Sequence, residues 1–504
     1  MIEIKNLTID TKSGKRIIDD LSFVINSKDK LAIIGEEGNG KSTLIKMLAN
    51  KTTNYAKIVS GSIKLLGTIG YLPQYLDCDL GQTVLNYFVT DELTGDLNYE
   101  NLSYFELKIK EFGLPDEILD GQMILNNLSG GEKIKVQLIK MLEKNPNILL
   151  LDEPTNDLDL ETIEFLENFI ISFNGAVVFI SHDEQLLKKC ANCVLLIEQL
   201  RDKSFCRCTF KHVGFAEFMN LRKSLFEKQE QMAESEHKKR QKQLEFLKKV
   251  QQKLEVDMSQ NVRNPSVGRL LVKKMKNVKS QQARFERTEI TQFPEQENAI
   301  TLIYAPMEKI PQNKCVLNLD LKELKVENKI LARDIKLQVY GPKKVAIIGK
   351  NGCGKTTLLS YILKNLKNKF GLKVGYFSQD YLKSLNSQKS AIEELENNFA
   401  KVNPATSLAC LNFTLEDMNK KINELSEGQK AKVLLMKILL SGANVLVLDE
   451  PTRNLSPLSK PVVTQLLKDF SGSIIFVSHD RNFVQSVATS VYKLSSNGLE
   501  EVQI

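Results

Sequence analysis

The chain has 504 residues, 42% of them hydrophobic and 26% charged, with a formal net charge of +7. That length holds two α/β domains and a linker, and no apolar run approaches the ~18 residues of a membrane-spanning helix, so no membrane domain is expected. Eight cysteines behind a start that reads directly as a strand, with no signal peptide, predict reduced thiols and a cytoplasmic location, not a disulfide framework.

In chain order, Met1 to Leu7 opens as a strand. Leu31 to Ile34 is an apolar run leading into Gly35, Glu36, Glu37, Gly38, Asn39, Gly40, Lys41 and Ser42, then Thr43 and a helical pattern. This is the G-x-x-x-x-G-K-[ST] phosphate loop in its strand–loop–helix context. The glycines let backbone N–H groups approach the β- and γ-phosphates at a helix N-terminus that already favours anions. Lys41 supplies positive charge and Ser42 a hydroxyl for Mg²⁺. Further on, Leu128-Ser129-Gly130-Gly131-Glu132 precedes an apolar strand that ends in Asp152-Glu153-Pro-Thr155. Asp152 is placed to hold the metal through water, and Glu153 to orient or deprotonate the attacking water. A second apolar strand, Val177 to Ile180, ends at Ser181-His182-Asp183, where His182 can reach a γ-phosphate. Cys190, Cys193, Cys206 and Cys208 are spaced loosely like zinc ligands. Cys193 falls in an apolar strand run, and Cys206 and Cys208 on another short strand, which makes the group ordinary structural cysteines instead.

The same machine then recurs. Val345 to Ile348 leads into Gly349, Lys350, Asn351, Gly352, Cys353, Gly354, Lys355, Thr356 and Thr357. Leu425-Ser426-Glu427-Gly428-Gln429, Asp449-Glu450-Pro-Thr452 and Ser478-His479-Asp480 follow, all displaced by 297 residues from their first copies. The phosphate loops are displaced by 314, so the second copy is shorter only upstream of its Ser426 motif. An internal repeat of this kind sets the domain count. Roles carry over: Lys355 for phosphate, Thr356 and Asp449 for metal, Glu450 for water, His479 for the γ-phosphate.

Between the copies, Met219 to Ile290 holds eighteen Lys/Arg and nine Asp/Glu, a net of +9, so everything outside sums to −2. A local excess of this kind is the footprint of an element that faces nucleic acid. Leu247, Val250, Leu254 and Met258, then Leu271, Met275, Val278 and Phe285, recur at three- and four-residue steps on either side of Pro265 and Gly268. That pattern predicts two helices folded back on each other, the first on the order of 60 Å long at 1.5 Å per residue. A solvated spacer would give the same periodicity. It would not require the returning arm and tip, Ser259 to Ile290, to carry eight Lys/Arg against two acids. The RNA-facing candidates are Arg263, Asn264, Arg269, Lys273, Lys274, Lys276, Lys279 and Arg284.

Taken together, the two phosphate loops and the Leu-Ser-Gly-Gly-Glu signature resemble the ATP-binding cassette superfamily. The resemblance implies an ATPase with ATP and Mg²⁺ as cofactors and a head-to-tail sandwich. In it, Ser129, Gly130 and Gly131 would cap ATP on Lys355, and Ser426 and Gly428 would cap ATP on Lys41. Gln74 and Gln379 look like the Q-loops that reach metal and water. Glu427 replaces a signature glycine, and Asn156-Asp-Leu-Asp159 becomes Arg453-Asn-Leu-Ser456. By family geometry both changes face Lys41, so that site is expected to be the slower one. Neither Ile9 to Gly14 nor Lys325 to Asn328 offers an aromatic ring for adenine, which leaves GTP use open.

The expected fold is α/β, two tandem cassette domains (1–214 and 291–504) joined by a long antiparallel helical hairpin (215–290) with its tip near 259–269. A tandem cassette with a basic hairpin resembles the ABC-F family. Glu153-Pro-Thr-Asn-Asp-Leu-Asp159 is close to that family's motif, and Lys273 to Arg284 resembles its basic linker helix. Only 53 residues separate Gln74 from Leu128, which leaves little room for the arm of housekeeping members. The chain ends 25 residues after His479. These features look like the bacterial antibiotic-resistance branch. That branch implies a monomer that enters the ribosomal exit site, contacts large-subunit rRNA and peptidyl-tRNA, and protects against lincosamides, streptogramin A and pleuromutilins. The alternatives are a housekeeping ABC-F translation factor and the tandem ATPase subunit of a sugar importer.

Overall fold

Both copies of the repeat build the same sheet. The first forms β1 (Ile2–Thr11), β2 (Arg16–Ile25), β3 (Lys30–Gly35), β4 (Ala56–Leu65), β5 (Ile69–Leu72), β6 (Ile148–Asp152), β7 (Ala176–Ile180), β8 (Cys193–Leu200) and β9 (Phe205–Lys211). The second forms β10 (Cys315–Val326), β11 (Lys329–Tyr340), β12 (Lys344–Ile348), β13 (Val374–Phe377), β14 (Val445–Asp449), β15 (Ser473–Val477), β16 (Ser490–Ser495) and β17 (Gly498–Val502). This computed structural model describes the chain except residues 13, 37, 52–54, 75–78, 92–94, 156–157, 201–204, 261–264, 288–307, 327–328, 368, 370, 379–383, 397–402, 412, 454 and 503–504.

The two main sheets have matching orders, β5-β6-β7-β3-β8-β9 and β13-β14-β15-β12-β16-β17. The first five strands of each are parallel, and the last closes the edge antiparallel to its neighbour. A parallel sheet covered on both faces needs strands that are apolar throughout. That is why the apolar runs of the sequence, such as Leu149 to Leu151 and Leu446 to Leu448, are fully buried. One face packs against the helix that follows each phosphate loop (Lys41–Leu48, Lys355–Lys367) and against a smaller antiparallel layer, β2-β1-β4 in the first copy and β10-β11 in the second. In the second copy the other face packs against the signature helix, Glu427–Leu440, and its neighbours.

The shortening of the second copy lies partly here. Twenty-seven residues separate Lys41 from the start of β5, against eighteen from Lys355 to the start of β13. No strand corresponding to β4 occurs between Lys355 and β13 among the described residues.

Residues Ala216–Glu297 form a separate compact unit. Its helices run Phe215–Gln260, 46 residues, and Pro265–Arg287, 23 residues. Leu247, Leu254, Leu271 and Val278 are buried against one another, with Val250, Met258 and Met275 packed alongside. This is the seam the periodicity predicts; the side chain of Phe285 lies outside the described set. Arg269, Lys273, Lys274, Lys276, Lys279 and Arg284 are all exposed, while Arg263 and Asn264 lie outside the described residues. No described helix is long and apolar enough to cross a membrane.

Candidate active sites

Each phosphate loop is bent by glycine where a side chain could not fit. Gly40 has φ +86°, and a Cβ there would come within 1.9 Å of the Ile17 side chain; Gly35 has φ +155°, and a Cβ there would come within 2.4 Å of the Ile197 carbonyl oxygen. Lys41 Nζ donates to the Gly35 and Glu36 carbonyls, both at 2.8 Å, and Lys355 Nζ to the Gly349 and Lys350 carbonyls at 2.9 and 2.8 Å. Each ammonium is thus folded onto the loop that a nucleotide would occupy. Burial holds the Lys355 ammonium below its ordinary value. Glu37 lies outside the described residues.

The carboxylates stand at the C-terminal ends of β6 and β14. Ser42 Oγ donates to Asp152 Oδ1 at 2.9 Å, and Thr356 makes the equivalent contact with Asp449. Both aspartates are buried, and the second oxygen of each, Oδ2, has no hydrogen-bond partner. Burial pushes Asp152 up to about 6 and raises Asp449 as well. A buried, half-satisfied carboxylate beside a hydroxyl is the donor set that a hard divalent cation takes up, so the residues fit Mg²⁺.

Glu153 and Glu450 follow these aspartates with φ +51° and +52°. A left-handed glutamate costs on the order of 1–3 kcal/mol and persists where function requires the placement. Glu153 is held on both oxygens: Gln74 Nε2 donates to Oε2 at 3.0 Å, and His182 Nε2 lies 3.0 Å from Oε1. Glu450 is held differently. Its Oε2 accepts the His479 backbone N–H at 3.3 Å, while Oε1 makes no hydrogen bond and lies 3.6 Å from His479 Nε2. Burial, reinforced by the Asp449 charge, pushes Glu450 up to about 8; burial and the Lys355 charge bring His479 down to about 4. Gln379, the counterpart of Gln74, lies outside the described residues.

Around Lys355 the two copies share a cavity of about 710 Å³, lined by Thr155, Leu158, Ile163, His182 and Asp183 of the first and by the second phosphate loop, Glu450, Arg453 and His479 of the second. Asp159 accepts the Asn351 backbone N–H and also caps the Leu160–Ser172 helix through Thr162 N at 3.0 Å. Lys350 pairs with Glu161 at 2.6 Å, Arg481 pairs with Glu164, and Asn482 Nδ2 donates to Glu184 at 3.1 Å. The loop after Glu153 therefore meets the second phosphate loop. Asn156 and Asp157 of that loop are not described.

Two signature features are settled locally. Ser129 Oγ accepts the Glu132 N–H while Glu132 returns a bond to the Ser129 N–H, and Ser426 and Gln429 do the same. The motif is a capping box, legible as S-x-x-E/Q. Gly131 is buried against Thr162, where a Cβ would approach within 2.4 Å of Oγ1.

Arg453, which family geometry sets opposite Lys41, lines the Lys355 cavity of its own copy. Ser456, in place of Asp159, accepts the Ser459 N–H at 3.2 Å and so keeps the turn without the charge. An aromatic ring that the strand-based reading missed is Tyr55: its hydroxyl lies 3.2 Å from Thr43 Oγ1, and its backbone carbonyl accepts the Lys12 N–H at 2.8 Å. It stands immediately before β4, downstream of the phosphate loop. The Lys355 cavity is lined in part by the aliphatic Val326 and Leu331, at the end of β10 and the start of β11.

Two copies of one sheet, each ending in a phosphate loop, a buried metal-ready aspartate and a strained glutamate, define a tandem nucleoside-triphosphatase of the cassette class. The ABC transporter family matches residues 18–156 and 332–453. The chain is 29% identical over 534 residues to ATP-binding protein Uup of Escherichia coli, covering 96% of this chain and 79% of that one. It is 25% identical over 556 residues to ABC transporter F family member 5 of Arabidopsis thaliana, covering 99% and 76%. Among solved structures, an archaeal ribosome recycling factor, aABCE1, in complex with the ribosomal stalk protein aP1 has the same fold (TM-score 0.57, 16% identity, 95% of this chain and 87% of that one). The chain belongs to the ABC transporter family, carries its ATPase domain twice, and hydrolyses ATP.

Proposed function

We propose that this protein is a cytoplasmic, ribosome-associated ABC-F translation factor, with residues 1–214 and 291–504 as Mg²⁺-dependent ATPase domains and 215–290 as its RNA-binding arm. The observation that carries the reading is the exposed basic face of the Pro265–Arg287 helix, an element that a transporter subunit has no use for. The description of a fold relative as a ribosome recycling factor supports it. Lys41 and Lys355 with the loop amides bind the phosphates. Ser42 with Asp152, and Thr356 with Asp449, would hold Mg²⁺, which offsets phosphate charge when bound; Gln74 and Gln379 complete those sites. Glu153 and Glu450 orient water, His182 and His479 contact the γ-phosphate, and the Ser129 and Ser426 signatures cap the opposite nucleotide.

ATP then favours the closed arrangement by binding it preferentially, and the closed form docks on the ribosome. Lys273, Lys274, Lys276 and Lys279 supply phosphate contacts with the steep salt dependence such contacts carry. Replacing Glu153 and Glu450 together with Gln is expected to trap the protein on ribosomes in ATP. Sedimentation with ribosomes measures it, and an unchanged bound fraction overturns the reading. The narrower possibility, a hairpin tip working near the peptidyl-transferase centre to protect against antibiotics, rests on the short segment between Gln74 and Leu128. A strain lacking the gene would then become hypersensitive to lincosamides, streptogramin A or pleuromutilins; unaltered susceptibility leaves translation itself as the role.

A further inference from the structure

At the end of the first sheet opposite the phosphate loop, three metal-ligating side chains of different chemistry converge. Asp29, Cys193 and His212 present one ligand atom each, all within 4.8 Å of one another. The convergence follows from strand register. Leu31 of β3 pairs with Cys193 of β8, so Asp29, two residues upstream, lies at the same sheet end. Val194 pairs antiparallel with Lys211, so the next residue out on β9's strand, His212, falls opposite Cys193. The phosphate loop leaves the other end of β3, about 20 Å away at roughly 3.3 Å per residue.

We propose that Asp29, Cys193 and His212 form a binding site for a borderline divalent cation of the Zn²⁺ type, distinct from the Mg²⁺ positions at the nucleotide. Cys193 Sγ lies 3.8 Å from His212 Nε2, and Nε2 lies 3.6 Å from Asp29 Oδ1. Zn–S bonds of about 2.3 Å and Zn–N or Zn–O bonds of about 2.0–2.1 Å give tetrahedral edges of roughly 3.4–3.6 Å, so little movement is needed. A thiolate, an imidazole and a carboxylate select zinc over magnesium, which takes only oxygen.

The surroundings are built to aim the ligands. Asp29 Oδ2 is committed to the Asn26 N–H at 2.7 Å, leaving Oδ1 to face His212. The Asp29 backbone is pinned by Asn26 O at 3.2 Å and by the Val177 N–H at 2.9 Å. Asn192 Oδ1 accepts the Lys30 N–H at 2.7 Å and lies 3.3 Å from Cys193 Sγ. Such partners are what hold metal ligands in orientation. Cys193 and Asp29 are buried, while the His212 side chain is 57% exposed, which gives an entry path and leaves the fourth position to water. Without metal, the thiol lies 2.9 Å from His212 Nδ1. Burial and the Asp29 charge then push Cys193 up to about 12, and a bound cation reverses that by favouring the thiolate.

The cysteine spacing alone points elsewhere. Cys206 Sγ donates to the Ile17 carbonyl at 2.8 Å, and Cys190 Sγ to the Glu167 carbonyl at 3.7 Å. Neither belongs to the group.

The test is titration of the full chain, stripped with EDTA and free of nucleotide, with Co²⁺ as the optical stand-in for Zn²⁺. One equivalent is expected to produce a thiolate-to-cobalt charge-transfer band and the strong ligand-field bands of a four-coordinate ion, both lost on adding Zn²⁺. Cys193→Ser abolishes the thiolate band. His212→Ala, a surface change away from the nucleotide, weakens cobalt binding at least tenfold and removes the rise in thermal midpoint that Zn²⁺ gives the unmodified protein. Absence of a thiolate band, its persistence in Cys193→Ser, or a His212→Ala titration that matches the parent overturns the proposal.

Discussion

The two nucleotide sites share a framework and differ in how their water-activating glutamates are held. Glu153 is braced by Gln74 and His182, each at 3.0 Å. Glu450 leans on one backbone N–H, keeps a buried oxygen without a hydrogen bond, and is pushed up to about 8. The signatures differ in the opposite sense: the intact Ser129-Gly130-Gly131 belongs to the copy whose Asp159 meets the Lys355 phosphate loop, while Glu427 interrupts its counterpart. One repeat has thus diverged in two independent parts, the group that handles water and the group that closes over phosphate. A phosphate-loop motif shared by both copies therefore does not make the sites equivalent.

The largest effect tests which divergence governs turnover. If the interrupted signature limits the Lys41 site, most hydrolysis runs through Glu450. Loss of a general base costs about a hundredfold or more at its own site, so with the Lys41 site still running, Glu450→Gln is expected to lower total ATP turnover about tenfold or more, while Glu153→Gln lowers it about twofold or less. Steady-state phosphate release measures both. Equal losses would mean that the altered signature has no kinetic weight.

The second prediction concerns proton linkage at Glu450 in the nucleotide-free protein with EDTA. A glutamate that titrates near 4.5 unfolded and about 8 folded keeps a proton in the folded state that the unfolded state has lost. Its contribution is full below the unfolded value and is lost as pH rises through the folded one, at up to about 1.4 kcal/mol per pH unit. His479, brought down to about 4 from 6.5, acts in the opposite sense but only below 6.5. Between pH 6.5 and 8 the Glu450 effect is therefore isolated from it. Glu450→Gln should gain several degrees of thermal midpoint on the parent across that window. Glu153→Gln serves as the comparison, and a Glu450→Gln difference that stays flat with pH would break the contrast.

Much of this architecture was readable in advance because the chemistry demands contiguous residues. A phosphate loop must be a strand, a glycine turn and a helix start, and a doubly covered parallel strand must be apolar from end to end. The hairpin seam was equally plain, since Leu247, Leu254, Leu271 and Val278 repeat at helical steps. What stayed hidden depends on partners distant in the chain. Asp29 and His212 join Cys193 only through strand register, so cysteine spacing could not reveal the group. The contact of Asp159 with Asn351 and the pairing of Lys350 with Glu161 join different copies. Arg453 lines the Lys355 cavity of its own copy, a placement that the motif comparison of the two copies did not indicate.

The smallest expected effect probes the base end of the sites, where the shortened second copy has no strand corresponding to β4 among its described residues. Tyr55, just before β4, sets a half-exposed ring whose hydroxyl meets Thr43, and the Lys355 cavity offers Val326 and Leu331 instead. A ring against a purine contributes on the order of 1 kcal/mol beyond simple burial, whereas an aliphatic wall contributes burial alone. Tyr55→Leu should therefore weaken nucleotide binding at the Lys41 site about three- to fivefold and leave the Lys355 site untouched. Tyr55→Phe should bind as the parent does, because the hydroxyl serves Thr43 and not the base. Equilibrium binding of a fluorescent adenine nucleotide, read separately in Lys41→Ala and Lys355→Ala backgrounds, distinguishes the two sites. A Leu variant that loses nothing would place the base elsewhere; a Phe variant as weak as Leu would show that the hydroxyl's hold on Thr43, rather than the ring, shapes the loop.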